Sequence, residues 1–154
     1  MQRRTFLQGS LAGGAVAVAV GAGLLSPRSV LAAWPESAFT AKSVQDAMSG
    51  LFGSAENTTS GDIKIKAPDI AENGAVVPVS VTTSIEGASS ISMFADKNAT
   101  PLTAEFNLGP GTEGYVSTRI KMGKTANVIA VVKAGDKLYS AKKEVKVTIG
   151  GCGG

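Results

Sequence analysis

The sequence predicts an all-β fold, an immunoglobulin-like antiparallel β-sandwich of about seven strands with one short N-terminal helix and a flexible C-terminal tail. Apolar residues alternate with polar ones from residue 62 to residue 149, which is the period of a half-buried strand. Turn-forming residues separate these runs. Helices and strands do not alternate regularly along the sequence, so a parallel sheet is not predicted. Hydrophobic residues make up 44% of the 154, enough for one core.

Seven runs carry the strand pattern, and six turn signals divide them. The spacing fits a sandwich, with an open barrel as the alternative. The disulfide and core Trp of antibody domains are absent, since Trp34 precedes the first run. The runs are Ile63–Ile65, Val77–Ile85, Ile91–Met93, Leu102–Leu108, Val116–Met122, Val128–Val132 and Val145–Ile149, and the turns are Glu72–Gly74, Glu86–Gly87, Asp96–Asn98, Gly109–Gly111, Gly123–Lys124 and Ala134–Asp136.

A helix is predicted from Ala41 to Phe52, before the strands. Its apolar residues recur at spacings of three and one, which places them on one helical face. Thr40 is the expected N-cap, and Phe39 and Val44 would form a hydrophobic staple around it. Gly50 or Gly53 is expected to end the helix.

Residues 1–33 have the features of a twin-arginine signal peptide. Arg3 and Arg4 are followed by Phe6 and Leu7, then by a short apolar segment and by small residues suited to cleavage after Ala32 or Ala33. A retained membrane anchor is the alternative. The signal predicts export of a folded protein to the periplasm, and no membrane association after cleavage. The domains predicted are 1–33 for the signal, 34–149 for the sandwich and 150–154 for the tail.

Composition excludes several classes of function. There is no His and only one Cys, so neither a His-dependent catalytic triad nor the usual Cys and His zinc site can be built, and no internal disulfide can form. We therefore predict no catalytic residue, no metal site and no cofactor. Three of the 15 Lys and Arg precede residue 34, which leaves 15 − 3 = 12 against 12 acidic residues. The mature chain is near neutral, which argues against nucleic-acid binding.

The tail is the candidate functional segment. Cys152 stands between Gly150–Gly151 and Gly153–Gly154 at the end of the sequence. Glycine favours a mobile backbone, and three extended residues reach about 10 Å, so the thiol could enter a pocket of another protein. An unperturbed thiol has a pKa of about 8.5, and no base stands beside it in the sequence. Cys152 is thus suited to carrying a group that other enzymes attach and remove. Prenylation fits poorly, because Cys is third from the end.

The twin-arginine signal, the small sandwich and the Gly150–Gly154 pentapeptide together resemble the SoxY family of sulfur carriers. The resemblance implies an immunoglobulin-like SoxY domain and a heterodimer with a SoxZ-like subunit. It implies thiosulfate-derived sulfur as covalent cargo on Cys152. It also implies that SoxXA attaches thiosulfate to Cys152, SoxB releases sulfate, and SoxCD, where present, oxidises the remaining sulfur. Redox and metal centres would belong to those partners.

Two other functions remain open from the residues alone. One is an exported structural module that dimerises through a Cys152 disulfide. The other is a thiol enzyme, which the lack of His disfavours.

Overall fold

The computed structural model describes residues 35–148, which form two helices and nine strands. The helices are α1, Glu36–Thr40, and α2, Val44–Phe52. The strands are β1 Thr58–Thr59, β2 Ile63–Lys66, β3 Ile70–Ala71, β4 Val77–Thr83, β5 Ala88–Ala95, β6 Leu102–Asn107, β7 Tyr115–Ile120, β8 Ala126–Ala134 and β9 Lys137–Val147.

The strands form two sheets, which confirms the predicted sandwich. The larger sheet has the order β1-β9-β8-β5-β6, with β3 also on β9, and the smaller sheet has the order β2-β4-β7. The seven strands of four or more residues pair antiparallel, as predicted. The two-residue strands β1 and β3 pair parallel with β9 and were not predicted. Two residues are too few to show a period, so alternation could not reveal them.

The main core lies between the two sheets. Strand β4 shows the alternation plainly, since Val77, Val79 and Val81 are buried and Pro78 and Thr82 are exposed. Each buried aliphatic side chain contributes roughly 1.5–3 kcal/mol relative to an exposed one. The facing residues of the larger sheet include Ile91, Met93, Val128, Ala130, Val132 and Val145.

A second core lies between the helices and the outer face of the larger sheet. Phe94 and Val131 are fully buried there beneath Ala38, Ala47 and Met48. Strand β8 therefore has apolar contacts on both faces, which explains the continuous apolar run from Val128 to Val132. Its position between β9 and β5 confirms the prediction of a central strand.

The predicted helix start was wrong. Helix α2 begins at Val44, where the Ser43 hydroxyl accepts a hydrogen bond from the Asp46 backbone N–H at 3.0 Å and donates to the Asp46 carboxylate at 2.7 Å. Thr40 is the last residue of α1, and its hydroxyl donates to the Glu36 carbonyl at 2.9 Å, so it does not cap α2. The predicted Phe39–Val44 staple is therefore wrong too, because Lys42 is the residue before the true cap.

The predicted helix end was correct in one of its two alternatives. Gly53 caps α2 with a φ of 75°, a left-handed conformation that costs glycine little, and its N–H donates to the Ser49 carbonyl at 2.9 Å. Gly50 lies within the helix, where a Cβ atom would stand 3.0 Å from the Ala38 backbone. Gly50 thus lets α1 and α2 pack closely.

Candidate functional site: the base of the carboxyl-terminal arm

The predicted carrier arm lies outside the described residues. Cys152 and the glycines 150, 151, 153 and 154 follow Thr148, the last residue that the structure describes, and Ile149 lies beyond it too. The predicted signal residues Arg3, Arg4, Phe6 and Leu7 precede the first described residue, Pro35. The part of the candidate site that the structure describes is therefore the arm base, which we define as residues 143–148.

Strand β9 carries the arm base. It is the longest of the described strands, with eleven residues from Lys137 to Val147. It pairs antiparallel with β8 from Ala134↔Lys137 to Ala126↔Val145. Val145 is fully buried, and Val147 packs against the main core. Because the strand is embedded in the larger sheet, its last residues are held by the whole sandwich.

Strand β3 clamps the end of β9 on the side opposite β8. Ile70 pairs with Lys146 and Ala71 with Val147, in parallel. The Lys146 N–H donates to the Asp69 carbonyl at 2.9 Å, and the Thr148 N–H donates to the Ala71 carbonyl at 3.1 Å. On the β8 side, the Val147 N–H donates to the Thr125 hydroxyl at 3.0 Å. Backbone hydrogen bonds thus extend to Thr148, one residue past the end of the strand.

A lysine ties the β2–β3 loop to the same strand. The Lys143 ammonium lies 3.0 Å from the Asp69 carboxylate and donates to the Ala67 carbonyl at 2.7 Å. Asp69 is 90% exposed, so the ion pair itself contributes at most about 1 kcal/mol. The hydrogen bond to the Ala67 carbonyl is directional. It and the ion pair together hold the β2–β3 loop against the arm base.

Gly74 allows the β3–β4 loop to pack closely against the arm base. Its carbonyl accepts a hydrogen bond from the Met122 N–H at 2.7 Å. A Cβ atom at this position would collide with the Met122 carbonyl oxygen and stand 2.8 Å from Cγ1 of Val147. Glycine is therefore required for close approach. The sequence marked Glu72–Gly74 only as a turn, and nothing in its pattern indicated the contact with Val147.

The arm base offers contacts that anchor the last described residues of the chain. No three His, Cys, Asp or Glu side chains gather into a metal site anywhere between residues 35 and 148. Among the described residues, Glu105 and Tyr115 have a shifted pKa, and both lie apart from the arm base. Burial raises the pKa of Glu105 on β6 against the opposing charge of Lys133. Hydrogen bonds from Ser80 and Ser117 lower the pKa of Tyr115 on the outer face of the smaller sheet.

Two exposed apolar side chains stand near the arm base. Ile70 on β3 is 58% exposed, and Val76, just after Gly74, is 48% exposed. Sequence alternation could not have singled them out, because apolar residues in short loops are common on protein surfaces. Across the described part of the chain, no helix is long and apolar enough to span a membrane.

Comparisons with known proteins agree with this architecture. The family model described as sulfur oxidation protein SoxY matches residues 48–152. A solved structure of the sulfur carrier protein SoxY from Chlorobium limicola f thiosulfatophilum is 51% identical, with a TM-score of 0.64, and the match covers 74% of this chain and 99% of that one. An engineered protein matches at 12% identity, with a TM-score of 0.39, over 56% of this chain and 20% of that one, too little to support an argument. No curated protein matches the sequence.

The family match covers more than half of the chain and ends at the single cysteine, and the similar carrier is matched over nearly its whole length. The resemblance predicted from the tail is thereby confirmed. The chain belongs to the SoxY family of sulfur oxidation proteins.

Proposed function

We propose that this sulfur carrier holds its cargo covalently on the Cys152 thiol and presents it to partner enzymes at the end of the Gly150–Gly154 arm. The observation that carries the proposal is the arm base. Hydrogen bonds from both sides fix the backbone up to Thr148, and a glycine-flanked cysteine follows within four residues. Four extended residues reach about 14 Å at most, enough for the sulfur to enter a narrow channel.

The chemistry that we propose for loading is an oxidation. The Cys152 thiol and thiosulfate lose two electrons and one proton as a sulfur–sulfur bond forms, which gives a cysteine S-thiosulfonate. The electrons pass to the haem of a SoxXA-type enzyme. Water then cleaves the bond to the terminal sulfonate in a SoxB-type hydrolase, releasing sulfate and two protons and leaving a cysteine persulfide anion. A SoxCD-type dehydrogenase, where present, oxidises that sulfur. On this proposal the chain supplies only the thiol and is no enzyme.

Membership of the family supports a SoxZ-like subunit as the stable partner in a heterodimer. The exposed Ile70 and Val76 beside the arm base offer apolar area for such contacts. Arg3, Arg4, Phe6 and Leu7 support export by the twin-arginine pathway, with cleavage near residue 33 and a periplasmic mature protein. Removal of the signal can be checked by the N-terminal mass of the protein from a periplasmic fraction.

The proposal is tested by moving the thiol. We expect Cys152→Ser to abolish loading with thiosulfate by a SoxXA-type enzyme. A second variant combines Cys152→Ser with Ser84→Cys, which places one exposed thiol in a loop at the other end of the sandwich. It should also remain unloaded, because its thiol is on no arm. Loading of this variant at the wild-type rate would show that any exposed thiol suffices.

A disulfide-linked homodimer through Cys152 is the second candidate, favoured by a lone cysteine in a chain with an export signal. Gel electrophoresis without reducing agent distinguishes the two. The carrier proposal expects the monomeric chain to be the form that is loaded.

A further inference from the structure

A hollow lined by lysines lies at the arm end of the sandwich. It is formed by the β5–β6 loop, residues 96–101, and the β7–β8 loop, residues 121–125, and has a volume of about 340 Å³. Lys97, Lys121 and Lys124 line it together with Asn98 and Thr100. We call it the lysine hollow. None of its lining residues is acidic.

The shape of the lysine hollow is fixed by side-chain hydrogen bonds. The Asn98 amide donates to the Lys121 carbonyl at 2.7 Å, and its carbonyl oxygen accepts from the Gly123 N–H at 3.1 Å. The two loops are thereby joined. The Asp96 carboxylate accepts from the Asn127 backbone N–H and side-chain amide at 3.0 and 2.9 Å, which holds the start of the first loop on β8. The lysines therefore project from a rigid frame.

The frame is connected directly to the arm base. Thr125 accepts the hydrogen bond from the Val147 N–H, and Met122 donates to the carbonyl of Gly74, which packs on Val147. Lys124 and Lys121 are the neighbours of these two residues in the chain. Any protein that receives the arm must approach this end of the sandwich.

Charge is distributed unevenly over a chain that is near neutral after residue 33. Lys97, Lys121 and Lys124 are exposed, and within residues 35–148 no carboxylate pairs with them. The loops at the other end carry Asp62, Glu86, Glu113 and Asp136 against Lys137. At the arm end, Asp69 is paired with Lys143, and Asp96 accepts hydrogen bonds from Asn127 but keeps its charge. Glu72 and Glu144 are the acidic residues near the arm base with no such side-chain contact among the described residues. The three exposed lysines thus form a local positive patch beside the arm base.

We propose that the lysine hollow is an electrostatic docking surface for enzymes with an acidic rim around the entrance to their active sites. This inference rests on the proposed carrier function. Opposite charges steer encounter and orientation more than they add final affinity, which suits a carrier that must leave each enzyme after its visit. Three ammonium groups on long exposed side chains match a broad acidic surface better than a single enclosed anion.

The test uses the full-length carrier, loaded with thiosulfate on Cys152, as substrate for a SoxB-type hydrolase. The docking variant combines Lys97→Gln, Lys121→Gln and Lys124→Gln. Its control combines Lys64→Gln, Lys66→Gln and Lys137→Gln, exposed lysines on the outer face of β2 and at the far end of β9. Both variants lose three positive charges, so any difference between them is due to where those charges lie on the surface. Sulfate release is measured against carrier concentration at several ionic strengths.

We expect the docking variant to lose about tenfold in kcat/KM at low salt with kcat unchanged, and its dependence on salt to flatten. The control should stay within about twofold of the wild type. Equal effects of the two variants would overturn the docking surface and leave the carrier function intact. Failure of the hydrolase to act on the loaded wild type would instead overturn the carrier function, and this inference with it. Inhibition by inorganic sulfate at constant ionic strength, lost only in the docking variant, would reassign the hollow to a small anion and overturn docking.

Discussion

At the scale of single residues, Ser92 is the least satisfied polar group in the core. It lies on β5 between Glu105 and Val131, fully buried, and its hydroxyl has no hydrogen-bond partner among the described residues. A buried hydroxyl without a partner costs roughly 1–3 kcal/mol.

We therefore predict that Ser92→Ala raises the free energy of unfolding by about 1 kcal/mol, measured by chemical denaturation. The control is Ser117→Ala, an exposed hydroxyl that is hydrogen-bonded to Ser80 at 2.9 Å, which should change stability by less than about 0.5 kcal/mol. A loss of stability in Ser92→Ala would mean that the hydroxyl has a partner, such as a buried water.

Glu105, opposite Ser92, gives the fold a dependence on pH. Burial raises its pKa in the folded protein above the ordinary 4.5, so the folded state holds this proton more tightly than the unfolded state does. The stability that this tighter proton binding contributes is fully present below pH 4.5 and is lost as the pH rises through the pKa of Glu105 in the folded protein. Because Glu105 is partly exposed and Lys133 opposes the shift, the effect should stay below about 1 kcal/mol.

We expect the melting temperature of Glu105→Gln to equal that of the wild type near pH 4 and to be slightly higher at pH 7. Melting temperatures of both proteins measured from pH 4 to pH 7 test this. A wild type and variant with parallel pH profiles above pH 4.5 would contradict this assignment.

At the scale of elements, the arm base depends on the loop that Gly74 allows to pack against β9. Gly74→Ala forces that loop away from Met122 and Val147, because the new methyl group would collide with both. We predict a loss of about 1–3 kcal/mol in the free energy of unfolding. Gly61→Ala is the control, since a Cβ atom there has nothing within 4 Å and should cost less than about 0.5 kcal/mol. Equal stability of the two variants would show that the loop can shift freely.

The elements also show what sequence patterns can predict. Alternation located six of the seven longer strands, because apolar side chains on one face of each pack in the main core and the period is two, as in β4. The continuous apolar run from Val128 to Val132 located β8, which is covered on both faces. Strand β3 was not predicted, because its two residues show no period and its hydrogen bonds join chain segments some 76 residues apart. The helix cap was misplaced because Thr40 and Ser43 are both acceptable caps, and only the reciprocal contact with Asp46 separates them. The functional cysteine was identified from the pentapeptide and stays a prediction.

At the scale of the whole molecule, the described residues form a sandwich that is held by two cores. Its backbone hydrogen bonds reach Thr148, and the segment proposed to carry cargo follows in the sequence. We predict that removing residues 150–154 shifts the melting temperature by less than about 2 °C, because four glycines in five residues favour a tail that does not pack on the core. A much larger fall in melting temperature would show that the tail packs on the body and is no free arm.

The central claim is that Cys152 carries sulfur from thiosulfate, and the mass of the intact protein tests it most directly. Protein purified from cells growing on thiosulfate should contain species heavier than the bare chain by thiosulfate-derived groups. Reducing agent should remove these groups, and Cys152→Ser, with an unchanged melting temperature, should lack them. An unmodified mass for the wild-type protein under these conditions would contradict the account.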